Sequence, residues 1–173
     1  MSALTPLDTQ VPFPQLEERV LKRWRETRAF ERSVAQRPED KQFNFYDGPP
    51  FATGLPHYGH LVASTIKDIV PRYWTMRGWR VERRFGWDTH GLPVELEVER
   101  ALGFSGKAEI EAYGIEAFNQ QCRESVFKYV SEWERMTDRI GFWIDTANAY
   151  VTYSSEYVES CWWIFKTLHD GGL

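Results

Sequence analysis

The stretch FNFYDGPPFATGLPHYGHLVASTIKDIVPRYWTMRGWRVERRF, Phe43 to Phe85, decides the fold. Phe43, Phe45 and Tyr46 make a short aromatic run of strand type. Asp47, Gly48, Pro49, Pro50, Thr53, Gly54 and Pro56 follow, turn formers that neither a helix interior nor a central strand accepts. Beyond them Leu61, Val62, Ile66, Ile69, Val70 and Tyr73 recur at helical spacing, and Gly78 is placed to stop the run. Pro71 lies inside it and has no N–H to donate, so a kink or an early end near Val70 is expected. Trp79, Val81 and Phe85 then alternate with the period of a strand. Strand, helix and strand joined by one crossover imply a parallel pair, and hence an α/β fold.

Working outward, Leu16, Val20, Leu21, Trp24 and Phe30 predict an amphipathic helix from Pro14 to about Val34, with Pro14 suited to its first turn. The polar stretch Gln36 to Lys41 separates it from the first strand. Downstream, a second loop from Gly86 to Pro93 precedes Val94 to Leu102. Phe118, Cys122, Val126, Tyr129, Val130, Trp133 and Met136 then predict one long helix from Ile115 to about Ile140. Ser154 or Ser155 can cap a last helix closed by Gly171 and Gly172, so the second half reads as mainly helical. No repeat or low-complexity segment interrupts the chain. It stops at Leu173 just past a helix cap, an odd end for a natural protein, and a fragment is expected. The division expected is a helical extension over 1–41, a nucleotide-binding unit over 42–104 and a helical segment over 105–173.

At 173 residues, with 42% hydrophobic and 27% charged side chains, the chain can bury a core and is not of disordered type. A net charge of -4 gives no general affinity for nucleic acid, so any RNA contact must come from a local patch. Arg72, Arg77, Arg80, Arg83 and Arg84 are the candidate, although such a run is more often a solvated face. Cys122 and Cys161 lie far apart without a CxxC pairing, which indicates neither a disulfide scaffold nor a zinc cluster and fits a reducing compartment. No secretory signal stands between Met1 and Pro14, and no window has membrane-spanning length, so no membrane partner and a cytoplasmic location are expected.

Ligands in a parallel unit bind where strand ends feed helix starts, because unpaired N–H groups and a partial positive charge collect there. Both special loops lie at such ends. His57 and His60, three residues apart, share one face at a helix start, and Gly59 between them lets a ligand approach the backbone, which suits a phosphate or a flat base. Asp88, in the loop Gly86 to Pro93, suits an ammonium group. Taken alone the two histidines read equally well as capping or surface residues, and Asp88 as a turn residue. A metal pair completed by Asp88 or His90 would lack the glutamate of a zinc hydrolase, and no metal site is assigned.

Together, DGPPFATGLPHYGH from Asp47 to His60 and GWDTHGLPVE from Gly86 to Glu95 resemble the isoleucyl-tRNA synthetase family. HYGH resembles the HIGH signature of class I synthetases, with Tyr58 at a position whose side chain can point away from the nucleotide. The leucyl enzymes resemble GWDxFGLP in the second loop, where this chain has His90. The resemblance implies the first half of a Rossmann-like catalytic domain that joins isoleucine to ATP with magnesium, then passes the acyl group to an isoleucine-accepting tRNA. It implies that His57 and His60 serve the phosphates, Gly59 the adenine, and Asp88 the substrate ammonium. Gly48 and Pro49 would give backbone contacts and a pocket wall, with Phe51 as a neighbour and Trp87 and His90 supporting the loop. A KMSKS signature, an editing insertion and an anticodon-binding domain belong to the family and are not in this chain; a full-length enzyme would be a monomer. Since one methylene separates isoleucine from valine by only about 1–3 kcal/mol, a discrimination for which isoleucyl-tRNA synthetase is the standard worked case, the family's editing site has a physical reason. The competing reading is a nucleotide-binding module without catalysis.

Overall fold

The computed structural model describes residues 10–173. Its sheet has three strands, β1 (Phe45–Tyr46), β2 (Arg83–Trp87) and β3 (Asp145–Val151), in the order β1-β2-β3 and parallel throughout. Eight helices accompany it among the described residues: α1 (Phe13–Thr27), α2 (Ala29–Ala35), α3 (Tyr58–Met76), α4 (Leu92–Leu102), α5 (Lys107–Tyr113), α6 (Ile115–Ser125), α7 (Val130–Arg139) and α8 (Ser155–Asp170). Helix α3 is the crossover between β1 and β2, and α4 to α7 fill the longer one between β2 and β3. The α/β class and the parallel pair stand as read. The reading of the amino terminus as free of a secretory signal falls, over residues 1–9, outside the described residues; no described helix is long and apolar enough to cross a membrane.

Four local expectations are corrected. The N-terminal helix breaks at Arg28, which takes a left-handed conformation (φ 48°) and closes α1 with N–H bonds to Trp24 and Arg25 before α2 begins. Helix α3 runs through Pro71, whose ring is fully buried; packing compensates for the missing backbone bond. The long helix predicted from Ile115 is split between Ser125 and Val130, where Tyr129 turns its N–H to the Ala52 carbonyl at 3.2 Å. Strand β3 was not expected. Its polar sequence DTANAYV carries no alternation, and the sheet's continuation there is decided by pairing with β2.

The core is Ala52, Phe85, Trp87, Trp133, Phe142 and Ile144, so strand β2, helix α7 and the segment leading to β3 all meet behind the first loop. The arginine run is divided: Arg77 and Arg84 are exposed, whereas Arg72, Arg80 and Arg83 are engaged within the fold. Arg83 is buried, donating to Thr75 Oγ1 at 2.7 Å and to the Trp143 carbonyl at 3.2 Å, and it lies near the rings of Phe30 and Trp143. Arg72 sits against Trp24 and Trp143 and pairs with Asp68. Arg80 pairs with Glu82 and Glu39. Arg72 and Arg83 thereby fasten α1, α2 and the 141–143 turn to α3 and the sheet. Burial lowers the Arg83 pKa to about 10, which still leaves it charged at neutral pH.

Candidate active site

Helix α3 begins at the mouth of a cavity of about 420 Å³ lined by Asp47, Gly48, Phe51, His57, His60 and Lys67 among others. His57 is the N-cap: its backbone is extended, and its Nδ1 accepts from the Gly59 N–H at 3.1 Å. His60 completes the box by accepting the His57 N–H on its own Nδ1 at 3.1 Å. Two orphan donors of the helix start are thereby satisfied, and the imidazoles stack with centroids 3.8 Å apart. Each accepting Nδ1 must be free of a proton, so a neutral ring carries its proton on Nε2. Burial, then the neighbouring His57 and Lys67, push the His60 pKa below its ordinary value. The capping reading and the ligand reading of the pair are therefore compatible: the caps fix the tautomer that leaves Nε2–H as a donor.

Gly59 sits where a Cβ would come within 3.0 Å of the His57 ring, so part of its use is to let that ring fold back over the helix start. His60 rests on Trp133, whose Nε1 donates to the Gly54 carbonyl at 2.9 Å and ties the first loop to α7.

The structure separates the remaining predicted residues. Gly48 and Phe51 line the same cavity as the histidines, and Pro49 stands beside them, half-buried. Asp88 does not line it. It lies across the 47–51 segment, where its N–H donates to the Pro50 carbonyl at 2.9 Å and its Oδ1 is 3.3 Å from the Thr152 hydroxyl. Thr152 in turn accepts from the Thr89 N–H, so the Asp88 carboxylate is held from beneath by buried threonines of two strand ends. Trp87 is a core residue packed on Phe85 and Trp133. His90 is exposed and lines a separate shallow hollow with Glu95, Cys122 and Tyr153. Among the described residues no group of three or more His, Cys, Asp or Glu converges as a metal site would require.

Three residues have a place at the site that the sequence reading does not give them, Asp47 being read there only as a turn former. Lys67 lies on the α3 face of His60, at helical spacing i+7, a signal the periodicity did contain. Asp47 is buried with its carboxylate 2.7 Å from Lys67 Nζ, and burial, outweighing Lys67, raises its pKa. Tyr150 of β3 donates its hydroxyl to the Asp47 carbonyl while its ring covers Gly86. Nothing local in the sequence announces that contact, which spans about a hundred residues of chain.

A parallel sheet whose strand ends feed a capped, histidine-bearing helix is the arrangement at which α/β proteins commonly bind anionic ligands. The chain belongs to the family of class I tRNA synthetases of the I, L, M and V group, whose family model matches residues 19–173. It is 56% identical over 164 residues to the isoleucine–tRNA ligase of Treponema pallidum (strain Nichols), covering 95% of this chain and 15% of that one. It is 57% identical over 161 residues to the isoleucine–tRNA ligase of Thermus thermophilus, covering 93% and 15%. The corresponding protein of Clostridium kluyveri is 51% identical over 167 residues, covering 96% and 16%. The chain thus spans about 15% of the length of these curated relatives. The fold matches that of a leucyl enzyme, the Agrobacterium radiobacter K84 agnB2 LeuRS in a ternary complex with tRNA and LeuAMS. The TM-score is 0.60 and the identity 24%, over 91% of this chain and 18% of that one.

Proposed function

We propose that this segment is the first part of the catalytic domain of an isoleucine–tRNA ligase, where ATP and isoleucine meet. The carrying observation is the stacked, mutually capped pair His57 and His60, opening onto a cavity at the end of a parallel strand, in a chain whose relatives are isoleucine–tRNA ligases. In the reaction the isoleucine carboxylate oxygen attacks the α-phosphorus of ATP, pyrophosphate leaves, and isoleucyl-adenylate remains. A terminal adenosine hydroxyl of tRNA then takes the acyl group and AMP departs. The enzyme's task is to position two anions and to meet the charge that builds on the transferring phosphorus. His57 and His60 offer Nε2–H donors for that charge, and Gly59 leaves room for the adenine.

Asp88 accepts the substrate ammonium on the other side of the 47–51 segment, with Gly48 and Pro49 as the wall between and Phe51 as its neighbour. Trp87 and His90 support that loop from within and from outside. Among the described residues Asp47 is the one carboxylate lining the cavity, and it is already paired with Lys67, so this cavity offers no uncommitted carboxylate to the magnesium that would accompany ATP. The division into 1–41, 42–104 and 105–173, a cytoplasmic location, a monomeric full-length enzyme and tRNA contacts made mainly outside this segment belong to the same reading.

Isoleucine-dependent pyrophosphate exchange by the full-length protein tests it. Asp88→Ala is expected to reduce exchange at low isoleucine by roughly a hundredfold, the scale of a lost charge-assisted contact. Exchange at normal isoleucine affinity would remove Asp88 from that role. For a non-catalytic module, calorimetry would show ATP binding and the full-length protein would form no adenylate.

A further inference from the structure

We propose that Lys67 is a positioning residue for the amino-acid side of this site, acting through Asp47 and the Gly48 carbonyl; the proposal rests on the adenylate-forming reading above. The segment 47–51 is the partition between the histidine cavity and Asp88. Pro49 and Pro50 have no N–H, so this partition cannot hold itself through a regular ladder and depends on ties from outside. Strand β2 and the residue that follows it supply two: the Asp47 N–H donates to the Arg84 carbonyl and the Asp88 N–H to the Pro50 carbonyl, each at 2.9 Å. Strand β3 supplies the Tyr150 hydroxyl to the Asp47 carbonyl.

Lys67 supplies the tie from α3. Its Nζ donates to the Gly48 carbonyl at 3.1 Å and places its charge 2.7 Å from Asp47 Oδ1. The lysine side chain is 34% exposed and the aspartate 3% exposed, so the carboxylate depends on this cation far more than the cation depends on it. Such a pair is weak evidence for stability, because desolvation offsets much of its attraction. What it does uniquely is fix the peptide at Gly48 to the helix that carries His57 and His60. The spacing between the proposed phosphate donors and the wall facing Asp88 then depends on this ammonium group in addition to the strand ties. An in-line attack needs that spacing, since a misplacement of about 1 Å can cost on the order of a hundredfold in rate.

A lysine in this cavity could instead meet phosphate directly, and the two roles separate by which substrate feels the loss. In pyrophosphate exchange by the full-length protein, Lys67→Met is expected to raise KM for isoleucine roughly tenfold or more while KM for ATP moves less than about threefold. Asp47→Asn is expected to shift the isoleucine KM in the same direction. The double variant should be no worse than Lys67→Met alone, because both remove one device. Loss falling on ATP with isoleucine KM unmoved, or losses that add, would overturn the proposal. If circular dichroism shows Lys67→Met unfolded, Asp47→Asn carries the same test by the same split of KM values. Absence of isoleucine-dependent exchange in the unsubstituted protein would instead overturn the adenylate-forming reading, and the proposal with it.

Discussion

His60 shows how one side chain serves the fold and the site together. Its Nδ1 closes the cap of α3 by accepting from His57, and its ring bridges the His57 imidazole and the Trp133 indole. Protonation at Nδ1 would replace that acceptor with a donor facing a donor. Burial comes first among the causes that lower its pKa, followed by His57 and Lys67, so His60 is expected to titrate below 6.5, the ordinary histidine value. Histidine proton shifts followed by NMR against pH check this. Below about 6.5 the unfolded chain binds a proton that folded His60 still refuses, so its stability contribution is present above that pH and is lost as pH falls through the folded pKa. The pair HxxH was legible in the sequence as two residues on one face. Its stacking and shared cap were not, because both depend on the extended backbone of His57 and the space left by Gly59.

At the scale of elements, the pairing of β2 with β3 decides the floor of the site. Gly86 on β2 faces Tyr150 on β3 so closely that an added Cβ would lie 2.2 Å from the ring. Gly86→Ala must swing the tyrosine outward and cost it the bond to the Asp47 carbonyl. A loss of about 1–3 kcal/mol is expected, read as a lower unfolding midpoint in urea. The hydroxyl is itself hard to ionise: burial, then the charges of Asp47, Tyr157 and Asp88, push its pKa up to about 12, so it stays a donor at neutral pH. Sequence periodicity found α3 and α8, with Ser154 one of the two serines offered as the cap of α8, because apolar spacing and turn chemistry are local. It missed β3 because a short polar strand is made by its partner, and it overran Arg28 and Ser125 because a helix can end for tertiary reasons without Gly or Pro.

For the whole molecule, the distribution of apolar surface is uneven. Helix α8 leaves Trp162, Trp163 and Phe165 each more than 60% exposed, and α3 leaves Val62, Ile66 and Ile69 exposed along one face. Patches of this kind ordinarily mark contact with further protein. Produced by itself, the 173-residue chain is therefore expected to bind a hydrophobic dye strongly and to self-associate at micromolar concentration. Trp162→Glu with Trp163→Glu should weaken both, as fluorescence and light scattering would report. The net charge of -4 does little to oppose association, since it is small for a chain of 173 residues.

The sequence by itself determined that a strand, an open Gly/Pro loop and a histidine-bearing helix follow one another, that the next strand runs parallel, and that the two loops carry the motifs of one synthetase family. Those properties are written in local chemistry: backbone restriction by Gly and Pro, the helical period of about 3.6 residues, and side chains near one another in the chain. Tertiary structure alone decided that Trp87 is packed in the core, that Arg72 and Arg83 clamp the N-terminal helices rather than face solvent, and that Asp47, Lys67 and Tyr150 meet. Each of these depends on contacts between segments distant in sequence, where burial and pairing are settled by what the fold brings together and not by any residue's neighbours along the chain.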